Sequence, residues 1–418
     1  MEIPYSAVGF FAQDDVRPSE SLTLNLGLRY DVELGTLSNV PYGVNGELLI
    51  TDPRSPYAGM GALEDDKNNW APRIGFAWDV GSRGSIVVRG GFGLFYDKIV
   101  ANTALFTMLD AVGLRGVSIE NPGFGPENIP PFDDLFETAG FGIPFGSVVV
   151  PGFQIPKSEQ ITIGVSHQMA STLALDVDYV RSRGDERGKS ADINEREVPG
   201  VNSSRPFFPE RRSSLVVIEP RGFNDYQGLQ LSLRKRFAGG IQFTVNYTLA
   251  ELVGNSESGF GQLAECYDCV GNDRDVGPYF NDTLHNFIAG GIFGLPGGFQ
   301  ISTLIQAESG RPLTASSVDD LDGNGTFVDF TEGPNGEPPG RGNFRGDPTI
   351  TFDVRVTKLF RMGGEKNLQV TFETFNLFNR VNRGRNFTDT FESPNFGLWN
   401  QGLETNQLQV QLGARFQF

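Results

Sequence analysis

The sequence predicts an all-β fold, an antiparallel transmembrane β-barrel with short periplasmic turns and long extracellular loops. Three observations carry this: apolar and polar side chains alternate strictly, short and long connections alternate along the chain, and the C-terminus is an aromatic, alternating strand. In 241–249, Ile241, Phe243, Val245, Tyr247 and Leu249 are separated by Gln242, Thr244, Asn246 and Thr248. The pattern recurs at 22–30 and at 408–416, where Gln409, Gln411, Gly413 and Arg415 are the polar set. With 39% apolar residues, chance gives roughly 0.5 such nine-residue windows in a chain of this length, so three establish a two-residue period. Less regular copies lie at 173–179, 229–237, 352–360 and 368–372. Helical periodicity is confined to 103–112.

Tight turns rich in Gly, Pro and Ser are expected at 17–20, 81–84, 170–171, 238–240, 296–298 and 362–365. Between them run long polar segments, 34–69, 97–156, 184–225, 250–283, 308–349 and 379–406, which together hold more than half of the chain. A soluble sandwich has no reason to place every long connection at one end, whereas an outer-membrane barrel does. Six hairpins and the last strand give about 13–14 strands. Single-chain bacterial barrels close with even numbers, and strands overlooked inside one loop come in pairs. The parity therefore favours a C-terminal fragment.

Composition narrows the function. The chain has 418 residues, with 34 Lys and Arg against 51 Asp and Glu, a formal charge of −17. Nucleic acid needs clustered positive charge and is not expected as a partner. Two His and two Cys leave no room for a multi-His or multi-Cys metal centre. No apolar run is long enough for a membrane helix, which leaves membrane strands untouched. The first residues, Met1-Glu2-Ile3-Pro4, carry neither part of a signal peptide.

The chain ends Gln411-Leu412-Gly413-Ala414-Arg415-Phe416-Gln417-Phe418. An edge strand of this kind exposes backbone groups that template pairing, and its rings suit the membrane interface. Gln411, Gly413, Phe416 and Phe418 are accordingly expected to form the signal read by the barrel-assembly machinery. Phe11-Ala12-Gln13-Asp14-Asp15, followed by Leu24-Asn25-Leu26-Gly27-Leu28-Arg29-Tyr30, resembles the barrel of TonB-dependent outer-membrane receptors of the Oar-like branch. So do Ala71-Pro72-Arg73-Ile74-Gly75-Phe76-Ala77 and Arg89-Gly90-Gly91-Phe92-Gly93-Leu94-Phe95-Tyr96-Asp97. Ser309-Gly310-Arg311-Pro312 and Phe375-Asn376-Leu377-Phe378-Asn379 continue the likeness in order.

The resemblance implies a barrel of about 22 strands closed by an N-terminal plug, energised by an inner-membrane complex through a short N-terminal box. Residues 1–418 read as a single, partial barrel domain in which plug, box and signal peptide are all missing. Contact with the TonB complex would then pass through the missing N-terminal part.

Local motifs suggest three further sites. Cys266-Tyr267-Asp268-Cys269 lacks two more zinc ligands and the βαβ setting of a redox motif. A disulfide between Cys266 and Cys269 suits an oxidising exterior, with free thiols the alternative. Asp320-Leu321-Asp322-Gly323-Asn324-Gly325 matches the opening of an EF-hand-type loop. Asp320, Asp322 and Asn324 are candidate Ca²⁺ ligands, although Thr331 stands where a bidentate Glu belongs, with Asp329 and Glu332 near it. A solvated acidic turn is the other reading, and no other cofactor is expected. Gly184-Asp185-Glu186-Arg187-Gly188-Lys189-Ser190 is one residue short of a P-loop and lacks its buried strand and helix. No catalytic motif or His-based arrangement stands out, so an enzyme is not expected.

The expected whole is an outer-membrane receptor that binds an unknown external ligand in its loops and lumen for energy-coupled import. Gln242, Thr244, Asn246 and Thr248 would face the lumen, and Ile241, Phe243, Val245 and Tyr247 the outer-membrane lipid. The alternative is a surface adhesion or interaction protein, or a passive pore, acting through the same loops. Acidic loops, with seven acidic residues against Arg274 in 250–283, would favour cationic ligands or serve solubility alone.

Overall fold

The computed structural model describes residues 4–99, 101–112, 115–116, 143–144, 147–198, 200–210, 215–256, 275–324, 329–363, 366–383, 388–399 and 407–418. Thirteen strands run in chain order through one sheet. They are β1 (Ser6–Ser19), β2 (Leu22–Leu34), β3 (Trp70–Asp79), β4 (Ile86–Tyr96), β5 (Lys157–Ala170), β6 (Leu173–Asp192) and β7 (Val216–Ala238). β8 (Ile241–Gly254), β9 (His285–Leu295), β10 (Phe299–Glu308), β11 (Thr349–Arg361), β12 (Asn367–Phe375) and β13 (Gln409–Gln417) complete it. Each strand pairs antiparallel with the next. Val148–Val149 and Gly277–Pro278 add short pieces at one end. The sheet is open: among the described residues β1 and β13 each have a partner on one side only.

Short connections join the strands at or beside the expected turns. The first is shifted to Glu20–Ser21, since Arg17 to Ser19 belong to β1, and residues 364–365 of the last lie outside the described residues. At the turn from β7 to β8, Ala238 faces Ile241, and both residues between them have positive φ, +63° at Gly239 and +79° at Gly240. That is the demand of a type I′ hairpin, which two glycines meet without strain. Pro4 lies at the other end of the sheet, where Asn39 Nδ2 donates to its carbonyl at 2.7 Å. Gln417, opposite Asn367, lies at the tight-turn end.

Register turns the alternation into two continuous faces, because directly opposed residues share a face. One row runs Val16, Leu24, Phe76, Gly90, Ile163, Tyr179, Leu229 and Leu249 across β1 to β8. From Val245 the same face continues through Ala289, Ile305 and Phe352. Large side chains on it stand uncovered, among them Ile74 at 56% and Ile163 at 53% exposure. An apolar face in that state is stable against lipid and unstable against water.

The opposite face carries charge. Arg89 binds Asp178 at 2.7 Å, Arg234 binds Asp176 at 2.6 Å, and Ser166 donates to Asp176 at 2.5 Å. These contacts tie β4 to β7.

One expectation is corrected. Residues 184–225 are not wholly a loop, because β6 and β7 stay paired to Asp192 and Val216. They are 20 and 23 residues long. Beyond Tyr179 the former apolar row turns polar: Arg181 binds Asp225 at 2.6 Å and Arg183 binds Asp185 at 3.0 Å. Past the hydrocarbon a strand needs no lipid face, so it loses the alternation that marks it in sequence while keeping its ladder. The Gly184-to-Ser190 segment is accordingly part of β6, and no phosphate-binding loop forms there.

The buried apolar core sits at the long-loop end, in the long connections and the outer end of β7. Leu37, Val40, Leu63, Ala104, Met108, Val149, Phe153 and Ile218 form one cluster. Leu49, Val148, Val150, Ile193, Phe208, Leu215 and Val217 form a second. Two helices join them, α1 (Val44–Thr51) and α2 (Ala101–Ala111). α2 matches the helical stretch expected at 103–112, whereas α1 has no amphipathic pattern that announces it.

Candidate functional site

The connections after β2, β4 and β6 fold together into a cap at the long-loop end. Its hinge is Asp110, near the end of α2 and only 1% exposed. Its carboxylate accepts the Gly43, Asn45 and Gly46 amides at 3.2, 3.2 and 3.1 Å. Those are orphan donors at the start of α1, where the helix dipole also favours an anion. Gly43 has to be small, since a Cβ there would lie 2.0 Å from the Asp110 carbonyl oxygen. Tyr42 donates to the Val149 carbonyl at 2.9 Å, and burial pushes its phenol well above the ordinary range.

Asn194, fully buried, accepts the Phe207 and Phe208 amides at 3.2 and 2.9 Å and donates to the Phe208 carbonyl at 3.1 Å. Asp65 gathers the Gly35, Leu37 and Ser38 amides and the Ser38 hydroxyl. Burial pushes its acidity down, but the four donors outweigh it and hold the carboxyl below the usual range.

The remaining connections attach by charge. Asp275 is clamped between Lys189 and Arg341, all three almost fully buried, and Arg341 Nε donates to the Asp275 carbonyl at 2.7 Å. Arg345 binds Asp282 at 2.5 Å and donates to the Gly310 carbonyl at 3.2 Å. A pocket of roughly 200 Å³ opens beside this contact, lined by Phe280, Glu308, Arg311, Leu313, Arg383 and Trp399. Arg383 lies 3.3 Å from Asp347. Gly310 is fixed by packing, because a Cβ there would lie 1.7 Å from the Gly346 carbonyl oxygen.

The residues singled out in sequence fall as follows. Gln242, Thr244, Asn246 and Thr248 share one face of β8, next to Arg234, Ser232 and Gln230 on β7. On β9 that row meets Ile292, Gly290, Ile288 and Asn286, so it is only half polar. Gln411, Gly413 and Phe416 lie on the edge strand β13, opposite Glu373, Thr371 and Leu368, and the Phe416 and Phe418 rings stack at 5.8 Å. Cys266 and Cys269 lie outside the described residues. Asp320 and Asp322 come together with Asp329, their carboxylate oxygens within 4.8 Å of one another. Asn324 is turned to Asp322, donating to it at 3.1 Å.

A family model described as an outer membrane beta barrel domain matches residues 4–340. The chain belongs to this family of outer-membrane β-barrels. As such it is a protein of the bacterial outer membrane, and it is similar to a curated TonB-dependent transporter. The barrel is 23% identical, over 416 residues, to the TonB-dependent transporter Oar of Myxococcus xanthus, covering 90% of this chain and 35% of that protein. It therefore spans about a third of that relative's length.

Among solved structures, a mutant ferric enterobactin receptor, PfeA of Pseudomonas aeruginosa, superposes with a TM-score of 0.51 at 12% identity. The match covers 98% of this barrel and 44% of that chain. The FrpB iron transporter of Neisseria meningitidis (F5-1 variant) gives 0.51 at 14% identity, over 98% and 45%. Both likenesses concern the fold.

Sequence reasoning missed the cap. Its signal was present as apolar runs inside polar segments, Leu48-Leu49-Ile50, Val148-Val149-Val150 and Leu215-Val216-Val217-Ile218. Each run is too short to declare an element by period.

Proposed function

We propose that the chain is the barrel part of a TonB-dependent receptor that binds an external ligand in its long connections and lumen. The ligand is then passed inward with energy from the inner membrane, without covalent chemistry. The cap carries this reading: a sheet with tight turns at one end supports, at the other, a folded surface with its own apolar core. Crossing the membrane needs no such surface, whereas selecting a ligand does.

In this reading residues 1–418 are one barrel domain, and the plug and TonB contact are supplied from outside it. The charged face, with Arg89, Gln242, Thr244, Asn246 and Thr248, lines the passage, and Ile241, Phe243, Val245 and Tyr247 meet lipid. The pocket by Arg311 and Trp399 offers a cation and flat apolar surface together, a combination suited to ligand contact. Gln411, Gly413, Phe416 and Phe418 address the assembly machinery, and a Cys266–Cys269 disulfide closes its loop.

The test compares the compounds removed from growth medium by three strains: intact, lacking the gene, and lacking the inner-membrane energy complex. A compound depleted by the first strain alone supports energised import. Depletion that survives loss of the energy complex overturns it in favour of a passive pore. No depleted compound, with loss of surface attachment on deletion, overturns it in favour of adhesion.

A further inference from the structure

We propose that Asp320, Asp322 and Asp329, in the connection between β10 and β11, form a calcium site. Their carboxylate oxygens lie within 4.8 Å of one another. Proximity alone is common in acidic turns, and the deciding feature is Asp329. It is 4% exposed, and its Oδ2 accepts the amides of Leu321 at 2.5 Å and Asp322 at 3.2 Å. Its Oδ1 is buried and has no hydrogen-bond partner among the described residues. A carboxylate oxygen removed from water without a donor is costly, and a cation between the three groups removes that cost.

Thr331 Oγ1 is a second buried oxygen without a hydrogen-bond partner among the described residues. It lies two residues on, where Thr331 continues the ladder by donating its amide to the Ala315 carbonyl at 3.0 Å. The two-residue period puts it on the same side as Asp329.

The donor set differs from the expected one. Asn324 braces Asp322 through Nδ2 and its own amide, at 3.1 and 2.9 Å. The third carboxylate comes from Asp329, across the turn. Arg196 reaches Asp320 at 3.4 Å. Oxygen donors of mixed charge on loop backbone suit Ca²⁺, whereas Mg²⁺ demands a near-ideal octahedron at shorter distances. The ion would also join two connections. Arg196 donates its amide to the Asn324 carbonyl at 2.8 Å, and Gly200 to that of Gly323 at 2.9 Å, docking the β6–β7 connection on the acidic turn.

Calorimetric titration of the chelator-stripped full chain in detergent with CaCl₂ tests the site. One Ca²⁺ per chain is expected, with a Kd of about 10⁻⁴–10⁻³ M, the range of extracellular modules, and at least about tenfold weaker MgCl₂ binding. Asp329→Asn and Asp320→Asn should each weaken Ca²⁺ at least about tenfold, while Asp347→Asn, in the exposed pair with Arg383, should not. If Asp329→Asn does not fold, the more exposed Asp320→Asn and Asp322→Asn decide. Absence of uptake by the unaltered chain, or unchanged affinity in the folded Asp variants, overturns the proposal.

Discussion

Arg89 and Asp178 meet at 2.7 Å although their strands are not neighbours; β5 runs between them, and the pair closes over Gly164. A Cβ at Gly164 would lie 1.8 Å from Asp178 Oδ1, so the glycine is the opening through which the two charges reach each other. Both side chains retain solvent contact, at 42% and 25% exposure. The pair is therefore worth no more than about 1 kcal/mol. Gly164→Ala and Arg89→Ala should each cost about that much, and the double variant little more than either. Urea denaturation of the four proteins measures the coupling, and full additivity would mean that Gly164 serves something other than this pair.

The two faces make a second expectation. Val245 opposes Leu233 and Ala289, whereas Asn246 opposes Ser232 and Ile288. Val245→Arg should destabilise the folded protein in lipid by about 2–4 kcal/mol, as a cation held against hydrocarbon does. Asn246→Arg should change stability by less than about 1 kcal/mol if its face borders water. Equal penalties at the two positions would remove the assignment of lipid to the odd-numbered row.

Why the strands were legible and the cap was not follows from what each side chain faces. Ile241 to Leu249 alternate because one side of the strand meets hydrocarbon and the other does not, a constraint that every residue must obey. Residues 184–192 obey no such constraint; they hold their ladder with residues 216–224 while carrying Asp185, Glu186, Arg187, Lys189 and Asp192, charges that read in sequence as loop. Leu49, Val148, Phe208 and Leu215 come from connections far apart in the chain, so their packing has no period. Of the acidic turn, Asp320 and Asp322 were readable from local spacing. Spacing marked Asp329 only as an acid near the twelfth position; what brings it against the other two is the ladder of Ser317 with Asp329.

Asp110 should behave as the clasp of the cap. Asp110→Ala strips the acceptor from the three amides at the start of α1 and leaves them buried, a loss of about 1–3 kcal/mol. Hydrogen exchange at residues 43–52 should accelerate by roughly 5- to 150-fold, with the strand amides of β1 to β4 unchanged. Uniform acceleration across cap and sheet would instead show one cooperative unit.

Asp65 predicts how the cap responds to acid. Its folded carboxyl titrates below the ordinary value of about 3.9 because four donors at Gly35, Leu37 and Ser38 outweigh burial. A carboxyl with a depressed folded pKa stabilises the folded state fully above its unfolded pKa. That contribution is lost as pH falls through the folded value. Between pH 7 and about 5, the connection at residues 35–69 should therefore resist proteolysis better in the unaltered protein than in Asp65→Asn. Below about pH 4 the difference should shrink as the carboxyl is protonated and the Ser38 hydroxyl and backbone amides lose their anionic acceptor. A gap between the two proteins that stays constant from pH 7 to 3 would assign the role of Asp65 to its shape and not to its charge.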